Sequence, residues 1–424
     1  MITKPSTPFK NFLSLLPIAL LGLILFAGLA FANRPLANRF GQGEEFLPAW
    51  NGARAFLFEK LDPYSDTAKE RAQTMVYGRP AHEGEAPLAL DIPFPILILY
   101  FPFALIPDVT WARAAFMALS ELGLLALILL TLRLLDWRPR GWFVVFFCLA
   151  SFASLFSINS ILAGSPAILI MLAILGAMLA IQSENDEAAG ILLALASFHW
   201  QAAILLWLFV IFSVYRARRW RVLVGYSMVW VILGGITFVT FMSTPGWFIP
   251  FLRALITNLR ADPGLALAPI LSQWAPAYLT KYLPAISLLL VVLLIVEWVG
   301  AIRDGDPQRL MWVAGLSLAV TPWIGLQTTL PNLAALTFSI LCILSFARER
   351  WRKYAYIFLF SYTALLCALP YYLQWRFKNA GSLADELTYL TITALIILGL
   401  YWVRWYAVRP PLTWADGVKR ELRK

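Results

Sequence analysis

Long apolar runs, each closed by a short charged or polar stretch, recur along most of this chain. A membrane-spanning helix needs about 20 predominantly apolar residues, with a range of about 17–25. By that measure the runs at 12–32, 112–132, 142–162, 166–182, 222–242, 284–302, 310–326, 331–347, 354–374 and 385–406 each predict one crossing. The run at 188–215 is too long for one ordinary span and is interrupted by Ser197, His199 and Gln201. It predicts two short helices meeting near His199. The pattern as a whole predicts an all-α polytopic membrane protein, a single integral membrane domain of about 12 transmembrane helices.

Two connections stand out by length, at about 34–111 and 243–283. Within the first, residues 92–107 (IPFPILILYFPFALIP) carry four prolines in sixteen positions. Proline removes backbone hydrogen bonds that lipid cannot replace, so this piece predicts a re-entrant or interface-lying segment packed against protein. The first apolar run follows Lys4 and Lys10 and is long enough to span, which predicts a retained helix rather than a cleaved leader.

Composition agrees with the pattern. Hydrophobic residues make up 60% of the 424 and charged residues 14%, against about 25% charged in an ordinary soluble domain. The 18 tryptophans and 15 tyrosines suit the membrane–water interface. A net charge of +10 would suggest nucleic acid in a soluble protein, but here its distribution decides the matter. With the N-terminus inside, 21 of the 34 basic residues fall on the cytoplasmic side with 11 acidic ones. The other side holds 13 of each, so the whole surplus lies on one face, as the positive-inside rule requires. The expected partners are therefore membrane lipids and not nucleic acid. Both termini, including a basic tail at 410–424, are expected in the cytoplasm of a plasma-membrane protein.

The cytoplasmic connections are short and contain no GxxxxGK[ST] phosphate loop. Chemistry is expected on the extracytoplasmic face, with any activated donor reached from the membrane. Cys148, Cys342 and Cys367 lie in apolar runs without ligand spacing and read as small hydrophobes. With only two histidines, no metal site and no cofactor are expected.

The first long loop is the richest in candidate chemistry. From Gly41 it reads GQGEEFLPAWNGARAFLFEKLDPYSD, with a short amphipathic helix expected over Trp50–Phe58 and a turn at Asp62-Pro63-Tyr64-Ser65. Glu44 and Glu45 sit just outside the first spanning helix, where a shielded carboxylate suits a general base and an exposed one is an ordinary loop acid. His199 breaks an apolar run, as a functional intramembrane group or as the cap of a helix break. Arg54 and Arg113 are candidate phosphate partners, since a guanidinium grips phosphate oxygens at two points. Trp50 and Tyr64 are candidates to stack on a sugar, and Gln327 and Asn332, at a turn on the same face, to bond an acceptor.

A carboxylate before Phe, an aromatic, small residues with Arg, Asp-Pro-Tyr and then a proline-rich aromatic stretch together resemble glycosyltransferase family 87. This is the polyprenol-phosphate-mannose-dependent α-mannosyltransferase type of the GT-C superfamily. The resemblance continues through LAGSP at 162–166, AGILLALASFHWQ at 189–201 and the basic RARRWR ending, covering roughly the first 240 residues. It implies a GT-C-like bundle that moves a sugar, mannose in the family type, from a polyprenyl-phosphate-sugar donor to an extracytoplasmic lipid or glycan acceptor. It also implies a catalytic base at Glu45, or at its neighbour Glu44, where the family usually has Asp. His199 stands where the family has Lys, and with Gln201, Arg54 and Arg113 it is expected to hold the donor phosphate. The alternative reading is a polytopic transporter or lipid flippase, which the break near His199 fits, although no internal repeat is evident.

Overall fold

The computed structural model describes residues 8–39, 43–82, 85, 87–240, 246–261, 265–324, 328–351, 354–379 and 382–407. Gln327 and the 410–424 tail lie outside the described residues. Every regular element among the described residues is helical. In chain order the main helices are α1 (Pro8–Arg39), α2 (Phe46–Arg54), α3 (Asp66–Tyr77), α4 (Val109–Leu134), α5 (Gly141–Ala153), α6 (Leu155–Ala163), α7 (Ala167–Gln182) and α8 (Asp186–Ala196). There follow α9 (Ile204–Arg216), α10 (Trp220–Thr240), α11 (Phe248–Ala261), α12 (Leu267–Trp274), α13 (Leu283–Asp304), α14 (Pro307–Ile324), α15 (Thr337–Trp351), α16 (Ala355–Arg376) and α17 (Leu383–Ala407).

Seven helical stretches are long and apolar enough to cross a membrane, and eight if the bent pair α5–α6 counts as one span. This is a multi-pass membrane protein. The expected spans at 166–182, 188–215 and 310–326 correspond to α7, α8, α9 and α14, which fall short of that test of length and apolarity. Two of these, α7 and α14, lie largely within the protein core, where neighbouring helices rather than lipid surround them.

Local chemistry explains the breaks. Around His199 the chain makes a 3-10 turn, Ser197–Ala202, with His199 itself non-helical at φ −130°, ψ 70°. Two short helices thus meet there, as the interrupted run at 188–215 anticipates. The run at 142–162 is not a single straight helix: it bends by 56° between α5 and α6. Ser154 adopts an extended conformation at the bend and its hydroxyl accepts the Ser157 N–H, a cap that starts a new helix. The proline-rich segment folds as Phe94–Leu97, a 3-10 turn and Phe101–Ala104, and Phe94, Leu97, Tyr100 and Ala104 are buried with Phe46, Trp50 and Phe116 in a small core of its own. In that setting side chains of α2 and α4 pack against part of the broken segment.

The large core runs through α4, α7, α8, α9, α14, α15 and α17. Helices α8 and α10 approach until backbones touch: a Cβ on Gly190 would lie 2.2 Å from the Val222 carbonyl oxygen. Close packing of this kind, through small residues, is how helices associate where no hydrophobic drive separates them from lipid. Polar clusters tie the helix ends. Arg219 pairs with Asp186 at 2.5 Å and donates to the Ile181 carbonyl, and Glu297 bridges Arg404 at 2.8 Å and Arg309 at 3.4 Å. The end of α7, the start of α8 and the turn between α9 and α10 carry the first cluster, and α13, α14 and α17 the second.

Candidate functional site

A cavity of about 260 Å³ opens where the turn before α2, the 87–93 segment, the α6–α7 turn, the His199 break, α10, α11 and the 329–332 turn converge. Ligand sites commonly occupy about 300–1,000 Å³, so this one suits a sugar ring with its linking group rather than a whole lipid-linked glycan.

Glu45 reaches it through a packed mount. Phe46, fully buried, lies against Gly164 so closely that a Cβ there would sit 2.4 Å from the Phe46 Cβ, and Gly164 holds φ +71°. Only glycine meets both conditions comfortably. The Glu45 N–H donates to the Ala163 carbonyl at 3.3 Å, fixing the residue to the α6–α7 turn. The small-residue LAGSP stretch therefore has a physical reason: it is the seat of the α2 entrance.

The Glu45 carboxylate faces a polar array. Thr329 Oγ1 donates to Glu45 Oε1 at 3.2 Å, and Oε2 has no hydrogen-bond partner and lies 3.9 Å from His199 Nε2. His199 Nε2 lies 3.0 Å from Asn332 Oδ1, which also accepts from Ser165 Oγ at 3.4 Å. With an amide oxygen as acceptor, Nε2 carries the imidazole proton. Glu45 and His199 side chains are about one-fifth exposed, at 22% and 20%, so both can meet a ligand while largely shielded from water.

Asp91 joins this group. It lines the cavity, its carboxylate hydrogen-bonds the Asn258 side chain, and burial holds it above the ordinary carboxylate range, against the opposing pull of Asn258 and the nearby His199. Asn258 Nδ2 donates to the Ala89 carbonyl at 2.9 Å, which fastens α11 to the 87–93 segment. Among the described residues no three His, Cys, Asp or Glu side chains are grouped to hold a metal ion.

The expected site residues divide clearly. Glu44, Glu45, His199 and Gln201 line the cavity, as does Asn332. Arg54 does not: its Nη1 donates to the Ala104 carbonyl at 3.1 Å and its guanidinium lies over Trp50 and Phe58. Nor does Arg113, only 3% exposed, which donates to the Ala37 and Leu162 carbonyls at 2.9 and 2.6 Å. The two arginines bond helix-end carbonyls and stand outside the cavity lining that holds Glu45 and His199. Trp50 is likewise a core residue, its Nε1–H donating to the Phe103 carbonyl at 3.0 Å. Tyr64 sits one layer behind the cavity wall, donating to the Ile92 carbonyl at 2.7 Å and meeting Phe251 edge-on. Burial pushes its phenol well above the ordinary range, with Asp62 and Asp91 adding to the shift.

Asp91, Asn258 and Thr329 are among the lining residues that went unforeseen. For Asp91 the available signal was a lone acid at the edge of the proline-rich run. Asn258 and Thr329 carry no local signal, since each is brought in from far along the chain.

The family model for glycosyltransferase family 87 matches residues 93–322, more than half of the chain. That span takes in His199, Gln201, Trp230 and Asn258. It begins two residues after Asp91 and beyond Glu44 and Glu45, and it extends past the first 240 residues that carry the motif resemblance. No curated protein matches the chain.

Proposed function

The chain belongs to glycosyltransferase family 87 and is a membrane glycosyltransferase, and we propose that its donor is a polyprenyl-phosphate-sugar and its base Glu45. The observation that carries the choice of base is the Glu45 carboxylate itself. One oxygen is fixed by Thr329, and the other is buried without a hydrogen bond, 3.9 Å from His199 Nε2. A base must stand within hydrogen-bond reach of the proton it takes, and this oxygen has no competing donor.

In the reaction, an acceptor hydroxyl oxygen attacks the anomeric carbon as its proton passes to Glu45. The bond from that carbon to the phosphate oxygen breaks with its electron pair remaining on the phosphate, and polyprenyl phosphate departs. A single displacement inverts the anomeric centre. His199 and Gln201 steady the departing phosphate, His199 by passing its Nε2–H from Asn332 to a phosphate oxygen. The fold is of GT-C type, the site faces the extracytoplasmic side of the plasma membrane, and the termini lie in the cytoplasm. The one-sided basic surplus supports this orientation. Mannose is the sugar favoured by the family type, with a lipid or glycan acceptor.

The test is a reconstitution of the full chain in lipid vesicles with labelled polyprenyl-phosphate-mannose and a membrane-lipid acceptor fraction. Label moved onto the acceptor, with polyprenyl phosphate released in equal amount, is the expected result. Movement of intact donor between leaflets without transfer to any acceptor would instead support a flippase.

A further inference from the structure

Between the 87–93 segment and α11 lies a polar pair that the proposed displacement does not use. We propose that Asp91 and Asn258 together hold hydroxyls of an uncharged pyranose in the cavity, and so select the sugar that the donor carries. This rests on the donor reading above and adds to it the residues and the sugar class.

Position comes first. Both residues line the same 260 Å³ space as Glu45 and His199. Asp91 projects from a segment that is held, not loose: Leu88, buried and with φ +49°, takes a left-handed conformation that costs a leucine energy, and the Ala89 carbonyl is bonded to Asn258. A group that must meet a ligand with defined geometry needs such support behind it.

Hydrogen-bond capacity comes next. A carboxylate accepts up to about four hydrogen bonds, and an amide both donates and accepts. Asn258 Nδ2 serves Ala89 and the Asp91 carboxylate, while Asn258 Oδ1 is buried with no hydrogen-bond partner. The pair thus has both Asn258 N–H groups in use and keeps acceptor capacity unspent, on the Asp91 carboxylate and on Asn258 Oδ1, in a desolvated place. Neighbouring sugar hydroxyls, each able to donate, complement that set. Sites that leave polar groups unpaired when the wrong ligand binds discriminate strongly, because the unpaired group costs its desolvation energy.

Charge and shape fix the class of sugar. The described lining residues include Glu44, Glu45, Asp91 and His199 but neither lysine nor arginine. A ring bearing its own carboxylate, a uronate, would add a second anion to that of the donor phosphate against three acids and no fixed cation. An uncharged ring meets no such penalty, and Tyr100, Trp200 and Phe251 supply aromatic surface for its C–H faces.

The experiment is lipid binding by the full-length protein in nanodiscs, measured for bare polyprenyl phosphate and for the mannosyl, glucosyl, galactosyl and glucuronyl lipids. The wild type should hold at least one hexosyl lipid about tenfold or more tighter than the bare lipid, and the glucuronyl lipid no tighter than the bare one. Asp91→Ala and Asn258→Ala should each erase most of the hexosyl preference while leaving affinity for the bare lipid within about twofold, and Asp91→Asn should restore part of it. Bare-lipid affinity reports folding in each variant. A preference that survives both alanine variants overturns the proposal, as does an equal loss for both kinds of lipid, which would mark a purely structural latch. Preferred binding of the glucuronyl lipid overturns the sugar class. If the wild type binds neither bare nor glycosylated lipid, the donor reading itself fails and this proposal with it.

Discussion

At Glu45 the backbone and the side chain do different work. The residue occupies the N-terminal boundary of α2, a place where a carboxylate ordinarily caps the first-turn N–H groups, yet its side chain makes no such bond. It turns instead to Thr329, far along the chain, and leaves one oxygen for the cavity. A side chain spent on capping would not be available as a base. Its placement depends on Gly164, whose left-handed φ and contact with Phe46 admit no side chain. Gly164→Ala is expected to cost at least about 1–2 kcal/mol from the left-handed conformation alone. The overlap with Phe46 adds to that and displaces the α2 entrance. Thermal unfolding in detergent beside a transfer assay measures both effects. A lowered melting temperature with severe loss of transfer is expected, and an unchanged enzyme would contradict the mount described for Glu45.

Among the helices, α8 and α10 matter most because they carry two walls of the site. The first leads into the His199 break and the second brings Trp230 to the cavity. Their contact at Gly190 is backbone on backbone. Gly190→Leu should therefore force the pair apart and abolish folded yield, since overpacking a tight contact costs about 1–3 kcal/mol or more. Gly234→Leu, on the same α10 but with nothing within 4 Å of the added Cβ, should be tolerated. Size-exclusion profiles of the two variants in detergent decide the point, and equal behaviour would contradict the account. At this scale the sequence was legible where polarity interrupts an apolar run. Ser197, His199 and Gln201 mark the break inside 188–215, and prolines mark the segment at 92–107. It was silent where the cause is a small residue in an otherwise apolar run, as at Ser154. It was also silent where a helix is polar and outside the bundle, as with α3.

Across the whole molecule, surface chemistry agrees with a chain bathed in lipid. Val224, Val231 and Phe238 on α10 and Leu288, Leu293 and Val296 on α13 are exposed apolar residues on helices long enough to span. Such surface is stable against hydrocarbon and costly against water. The cavity gathers side chains from seven stretches separated by up to 288 positions, from Glu44 to Asn332. That is why the class and several polar markers could be read from the sequence while the arginines could not be sorted. Arg54 and Arg113 bond carbonyls that belong to other elements, away from the cavity lining, and nothing local in the sequence marks those carbonyls.

Under the proposed function, sugar transfer takes place in this cavity with Glu45 as the base. The most direct measurement is the transfer rate of Glu45→Gln and Glu44→Gln beside the wild type, with donor affinity determined in parallel. Loss of a positioned base is worth about 10²–10⁴-fold in rate. Glu45→Gln should fall by that order with donor binding retained, and Glu44→Gln should stay within a few-fold of the wild type. Near-normal transfer by Glu45→Gln, in a protein that still folds and binds donor, would contradict the assignment.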